Sequence, residues 1–230
     1  MTDYLTLTTL KASIDKQGNA HDVSMAHAIT AASRLIDRIC GRPDNFFVAD
    51  TTATARVYAG SGETVQWIAP CVTITLVAVK SSPSDTTYTS WASTDWIAAT
   101  GDPEYPDFTS LPYQFIMVDP SGVQSHFLSG KYTAQKGFPP DRDHNPRMRG
   151  APTVQVTAKW GYSVSVPPTI EQACLIQAAR WYKRALSSFG DTLASPEMGQ
   201  MFYTKPLDPD VRTLLVDGRM VMPAIGGRPK

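Results

Sequence analysis

An α+β fold is predicted: an antiparallel α-helical core drawn from the N- and C-terminal segments, a large antiparallel β insertion between them, and an extended C-terminal arm. Three observations predict it. Apolar residues recur every three or four positions near residues 23–40 and again near 169–188. Between those stretches, from 51 to 162, the apolar period falls to two. The last dozen residues follow neither period yet keep several apolar side chains. The expected partition is 1–48 with 165–190 as helical core, 49–164 as β-rich insertion, and 191–230 as linker, short helix and docking arm.

The chain opens on Leu5-Thr6-Leu7-Thr8-Thr9-Leu10-Lys11, whose spacing and threonine cap predict a short helix reaching Ile14. After a turn at Lys16-Gln17-Gly18-Asn19, a longer helix is expected over 23–40, capped by Asp22 or Ser24 and stopped by Gly41. Met25, Ala28, Ile29, Ala32, Leu35, Ile36 and Ile39 form its apolar face, with Thr30, Arg34, Asp37 and Arg38 opposite.

In the β region, Val65, Trp67 and Ala69 alternate with other residues, as do Val72, Ile74, Leu76 and Ala78. Residues 114–118 give another strand, and Val154 to Tyr162 the cleanest alternation. Trp67 and Trp160 are expected on core-facing sides. Gly60-Ser61-Gly62 reads as a hairpin turn, and 81–86, 101–112 and 137–152 as loops.

Pro167-Pro168 then starts a helix over 169–188. Ile170, Cys174, Gln177, Trp181 and Ala185 mark one stripe of it, and Leu175, Ala178, Tyr182 and Leu186 another. Two stripes imply contacts on two sides, one with the helix 23–40 and one with a neighbouring subunit. Asp208-Pro209-Asp210 signals a short final helix. The tail beyond it, with Arg219, Met220, Val221, Met222, Ile225, Arg228 and Lys230, reads as a docking arm.

The 21 basic and 21 acidic side chains give a formal net charge of zero, which argues against a chain that grips nucleic acid or an anionic membrane. The blocks are opposed: residues 51–130 carry −5, while 131–150 and 151–190 carry +3 each. Cys40, Cys71 and Cys174 are an odd count without metal or redox spacing, so free buried thiols in a reducing compartment are expected. No secretory signal or 18-residue apolar run is seen, and no membrane association is expected.

Chemistry is sparse. Asp141-Arg142-Asp143-His144, with His126 upstream, could sketch a metal or acid–base site, but the spacing matches no ligand signature and a solvated loop is the better reading. No Gly-x-Ser-x-Gly elbow or phosphate loop is present. No enzyme activity, metal or cofactor is expected. Trp91 and Trp96, in a Ser/Thr-rich stretch, motivate a carbohydrate-binding adhesion module as an alternative.

The order of segments says more than any one residue. Tyr4-Leu5-Thr6-Leu7-Thr8-Thr9-Leu10-Lys11 is followed by Ala31-Ala32-Ser33-Arg34-Leu35-Ile36-Asp37-Arg38-Ile39-Cys40-Gly41-Arg42. Val166-Pro167-Pro168-Thr169-Ile170-Glu171-Gln172-Ala173 then leads to Ala178-Ala179-Arg180-Trp181-Tyr182-Lys183-Arg184, and Asp208-Pro209-Asp210-Val211-Arg212 closes the set. In this order the chain resembles the head–tail connector family (adaptor or head-completion proteins) of long-tailed bacteriophages and gene-transfer particles, across about 1–45 and 165–217. The family's minimal members are little more than the helices, so the β insertion is a departure.

The resemblance implies a structural virion protein of the neck, made in the bacterial cytoplasm, with about twelve copies joined head-to-tail in a ring. Such a ring binds the portal protein, extends the DNA channel and supports the next neck or tail component. Double-stranded DNA passes through without specific binding. Met25, Ile29, Ala32, Ile36, Ile39, Ile170, Cys174, Trp181 and Tyr182 would then belong to the ring-building helices, and Arg219 to Lys230 to a portal-facing arm. A stopper or tail terminator is the alternative within the same context.

Overall fold

A computed structural model describes residues 2–130, 150–186, 192–195, 200–203 and 207–221. The chain is mixed α+β, with four helices and a seven-stranded antiparallel sheet among the described residues. It divides into two compact units, Met1–Val48 with Ser165–Lys230, and Ala49–Val164.

In the first unit, α1 (Leu7–Ser13) is capped by Thr6, whose hydroxyl accepts from Thr9 N at 3.1 Å. Helix α2 spans Asp22–Ile39 and α3 spans Pro168–Leu186. Neither Asp22 nor Ser24 caps α2; the cap position is His21, without a side-chain bond. Both expected caps are engaged elsewhere: Ser24 Oγ donates to His21 O at 2.9 Å, and the Asp22 carboxylate meets Lys11 Nζ at 2.5 Å. Gly41 does end the helix, with φ of 66°. The ring of His21 lies against Tyr182 at 5.9 Å, while Ser33 Oγ lies 3.5 Å from Cys174 Sγ. The start of α2 thus meets the end of α3, so the pair runs antiparallel.

Met25, Ile29, Ala32 and Ile36 of α2 are buried, as are Ile170, Cys174 and Tyr182 of α3. Ile39 and Trp181 are only half-buried. The buried side of α3 is one face, Ile170, Ala173, Cys174, Gln177, Ala178 and Tyr182, rather than the two stripes read from the sequence. Leu175 is half-buried, and Ala185 and Leu186 are exposed. Gln177 is tolerated inside because its Oε1 accepts from Asp208 N at 3.2 Å. The same Asp208 binds Arg180 at 2.6 Å and caps α4 (Pro209–Asp217) through Asp210 N at 3.0 Å.

The polar face expected for α2 is also corrected: Arg34 and Asp37 are buried, not solvated. They are satisfied by the segment before α1 and by the chain after α2. Tyr4 Oη donates to Asp37 Oδ1 at 2.5 Å, and Asn45 N donates to Oδ2 at 3.0 Å. Arg34 pairs with the same carboxylate at 3.1 Å and donates to Thr2 O at 2.8 Å. The Arg34–Asp37 pair has helical i,i+3 spacing, but the partners that allow its burial, Tyr4, Thr2 O and Asn45 N, come from outside α2 and leave no trace in its periodicity.

After α3, the stretch read as a linker contains an antiparallel strand pair, β8 (Thr192–Ser195) and β9 (Gln200–Tyr203). Beyond α4, Arg219, Met220 and Val221 are described; Met222, Ile225, Arg228 and Lys230 lie outside the described residues.

The second unit holds β1 (Thr54–Ala59), β2 (Val65–Val79), β3 (Thr89–Ser90), β4 (Trp96–Asp102), β5 (Tyr105–Asp107), β6 (Tyr113–Val118) and β7 (Pro152–Trp160). The order is β1-β7-β2-β6-β4-β5, with β3 on β2. Because β7 separates β1 from β2, Gly60-Ser61-Gly62 closes no hairpin. Instead a Cβ on Gly60 would collide with the Leu128 carbonyl oxygen; glycine is required there by close backbone approach. The segment 101–112, read as loop, contains the end of β4 and all of β5.

The two apolar runs around Pro70 are one strand, β2, with a register shift between Trp67 and Cys71. Proline cannot donate to a ladder, which fits an irregularity at that point. The phase before the shift is opposite to the sequence reading. Gln66 and Ile68 turn inward, and Trp67 is 52% exposed, its ring 5.1 Å from Phe115. A one-residue change of phase moves every side chain to the other face. On the core side, Val77, Val79, Ile116, Val118, Phe127, Val154, Val156, Ala158 and Trp160 form one buried cluster.

Candidate functional site: an apolar groove between two helices

Each unit carries a cavity. The larger, about 770 Å³, lies in the helical unit between the first turns of α2 and the last turns of α3. Val23, His27 and Ala28 form one wall, and Trp181, Tyr182 and Ala185 the other, with Arg184 also lining it. The sequence makes this groove through its spacing. Its lining combines the small side chains of Ala20, Ala28 and Ala185 with the bulky Trp181 and Tyr182. Val23 is 73% exposed, and Leu186, nearby at the end of α3, is 52% exposed. Exposed aliphatic side chains beside an apolar recess are the features of a contact surface rather than of a polar reaction centre.

Among the described lining residues the titratable groups are His27, Tyr182 and Arg184. Lys183 and Arg184 both fall in the last turn of α3, where positive charge opposes the negative end of the helix dipole. With such a lining the groove can accept an apolar segment.

The smaller cavity, about 320 Å³, lies in the sheet unit and is lined by Lys80, Ser90, Trp91, Gln124 and His126 among others. His126 Nδ1 lies 2.8 Å from Ser125 Oγ, an adjacent and exposed pair. Trp91 is stacked on Phe127 at 4.9 Å and 23°, which commits one ring face to the core. Trp96 is likewise packed against that core. Asp141 to His144 lie outside the described residues, and among the described residues no three His, Cys, Asp or Glu are grouped to hold a metal ion.

All three thiols are buried, and burial pushes Cys40 and Cys174 up to about 11 and Cys71 up to about 12. They stay protonated at neutral pH and act as small hydrophobic fillers. Among the described residues no helix is long and apolar enough to cross a membrane.

The sequence places Trp181 and Tyr182, which form the groove wall, on separate stripes of a ring-building helix. It missed Val23, His27 and Ala185 as parts of one surface. The available signal was the outward position of Val23 at the start of a helix whose apolar face begins at Met25. Neither protein-family models nor curated proteins give a match to this chain.

Proposed function

We propose that this chain is a structural subunit without catalytic activity, a ring-forming head–tail connector of a virus-like particle. It binds the portal, extends the DNA channel and supports the next neck component. One observation carries the reading: the apolar groove at the open end of the α2–α3 pair, with Val23 and Leu186 exposed beside it. A protomer that completes its burial on a neighbour needs such a surface, and a groove that differs from what it receives generates a closed ring when the rotation closes. The order of helical motifs around the β insertion supplies the particle context. In this reading α2 and α3 form the ring core, and the segment from Arg219 onward is the arm that meets the portal.

Balanced charge supports a conduit, because phosphate attraction grows with each cationic contact and would retard DNA passing through. The test is native mass spectrometry of the purified chain, alone and mixed with portal rings. A ring-sized species, or a ring-sized mass increment on the portal, is expected. Val23→Asp combined with Ala185→Glu should leave a folded monomer that adds nothing. A chain that stays monomeric in both settings overturns the proposal.

A further inference from the structure

Arginine over an aromatic ring recurs in this chain. Arg34 lies 5.4 Å from the centre of the Tyr4 ring and pairs with Asp37 at 3.1 Å. Arg42 lies over Phe46 at 4.5 Å, and Arg56 over Trp160 at 4.5 Å. A guanidinium suits such places because its flat face stacks on a ring while its edge donates to a carboxylate.

At the far edge of the sheet the aromatic and acidic halves of that arrangement stand exposed without the cation. β5 is the last strand in the sheet order, and Tyr105 on it is 82% exposed. Phe108 and Leu111, just after it, are 47% and 44% exposed. Asp102, Glu104 and Asp107 lie beside them in the chain, and among the described residues none of the three is in an ion pair. Residues 81–130 contain six carboxylates and neither lysine nor arginine, so the surrounding chain supplies no counter-charge.

The tip is held in place. Asp107 Oδ1 accepts from Thr109 N at 2.8 Å, Thr109 Oγ1 at 2.9 Å and Ser110 N at 3.1 Å. Those bonds hold the Asp107 carboxyl well below the usual carboxylate range, so it is ionised under ordinary conditions. Asp102 Oδ1 accepts from Glu104 N at 3.0 Å across the β4–β5 turn. A fixed loop loses little freedom on binding, so its aromatic anchors retain more of their contact energy. Strand addition is disfavoured here, because β5 has three residues with Pro106 at its centre, which cannot donate. What the edge offers a partner is side chains.

The chemistry of those side chains narrows the partner. Phosphate backbones and anionic lipid are repelled by such a surface. Small ligands take concave sites, whereas Tyr105 stands out from a strand edge. Arg34, Arg42, Arg56 and Arg180 are already held by this chain's own rings or carboxylates, which favours an outside source of cation.

We infer that the β4–β5 tip, led by Tyr105 and Phe108, docks on a different protein whose contact surface carries arginine among apolar side chains. Arginine there would stack on the two rings and pair with Asp102, Glu104 and Asp107. The inference does not rest on the ring reading above, since a monomeric chain carries the same tip.

The experiment is selection from a ribosome-displayed library of random peptides against the full chain. The library is first depleted on the variant carrying Tyr105→Ser and Phe108→Ser, so that what remains reports on the tip. The surviving peptides should be rich in arginine and apolar residues. By fluorescence anisotropy, Glu104→Lys with Asp102→Lys should weaken them roughly tenfold or more while the circular dichroism stays native. Lysine in place of arginine in the peptide should weaken binding as well, and added salt should weaken it further. Trp67→Ser, at an exposed aromatic residue on another strand, should leave the affinity unchanged. No surviving peptide, survivors without arginine enrichment, or equal losses for Trp67→Ser overturns the inference. Self-association in sedimentation velocity that is lost with Tyr105→Ser would assign the tip to a second copy and overturn it too. A chain that never forms rings yet selects such peptides overturns the ring reading alone.

Discussion

The helical unit and the sheet unit solve the problem of burying side chains in opposite ways. Four helices of 7, 18, 19 and 9 residues leave interior polar groups, and these are joined into networks: Tyr4, Arg34, Asp37 and Asn45 at one place, Gln177, Arg180 and Asp208 at another. The sheet unit instead packs hydrocarbon from β2, β6 and β7 into one cluster, with Gln66, Asp95 and Thr153 as its buried polar residues. Asp95 there accepts from Ala92 N at 3.2 Å within its own turn and from Val123 N at 2.9 Å on a separate segment. Both carboxylates tie separate segments together, but Asp37 does so with a charged partner, Arg34, whereas Asp95 does so with backbone N–H groups. The difference teaches where each unit is brittle. A helix pair with short flanking segments must specify how the N-terminal segment docks, whereas a seven-stranded ladder is specified by register.

The comparison breaks most decisively at Asp37. Asp37→Ala leaves Tyr4 Oη, Arg34 and Asn45 N facing an empty site, and a broken buried ion pair costs about 3–5 kcal/mol. Urea denaturation followed by Trp181 should show that loss in the helical unit, since the other four tryptophans all belong to the sheet unit. Tyr4→Phe keeps the ring and should cost about 1.5–3 kcal/mol, the range for a hydrogen bond to a charged group. A loss under about 0.5 kcal/mol for Asp37→Ala would show that the network is ornamental.

A pair of tryptophans sharpens the picture within the sheet. Trp160 is buried, donates from Nε1 to Thr54 O at 2.8 Å and carries Arg56 over its ring at 4.5 Å, so Trp160→Ala should cost about 3–5 kcal/mol. Trp67→Ala, on the opposite face, gives up only its edge contact with Phe115 and should cost about 1 kcal/mol. Equal losses at the two positions would refute the phase described for β2.

The smallest effect is a divergence in acid. Burial raises the Asp37 pKa above its ordinary 3.8, outweighing the Tyr4 and Asn45 hydrogen bonds and the Arg34 charge. Its protonated form is therefore favoured by folding. That contribution is complete below 3.8 and is lost as pH rises through the higher folded value. Asp107 has the reverse sign: hydrogen bonds lower its pKa, so its contribution is present above 3.8 and is lost as pH falls toward the folded value. Lowering pH through this range should favour the helical unit at Asp37 and disfavour the sheet unit at Asp107. Thermal melts resolved by the two sets of tryptophans would check it, with Asp37→Asn abolishing the helical trend.

Helices were legible because their signals are local. Thr6 and Asp208 do cap α1 and α4, Gly41 does end α2, and the three-and-four spacing places Met25, Ile29, Ala32 and Ile36 inside. Strand phase at Trp67 was not legible, because a short apolar run around a proline alternates equally well in either phase. Pairing of β1 with β7 joins Thr54 to Ala158 across a hundred residues, and no local pattern encodes a partner at that distance. The groove residues escaped notice for a related reason. Val23, His27 and Ala185 become one surface only when α2 and α3 lie antiparallel at a particular offset.

By itself the sequence determined the mixed α+β class, the approximate positions of the helices, the zero net charge and the cation-free stretch 81–130, since each depends on neighbours in the chain or on composition alone. Only the tertiary structure decided that Arg34 and Asp37 go inside, that Trp67 and Tyr105 stay outside, and that the two long helices leave a groove. Burial is a property of the whole arrangement. A charged side chain moves inward when distant segments satisfy it, and an aromatic one stays out when the inward positions of its strand are already filled.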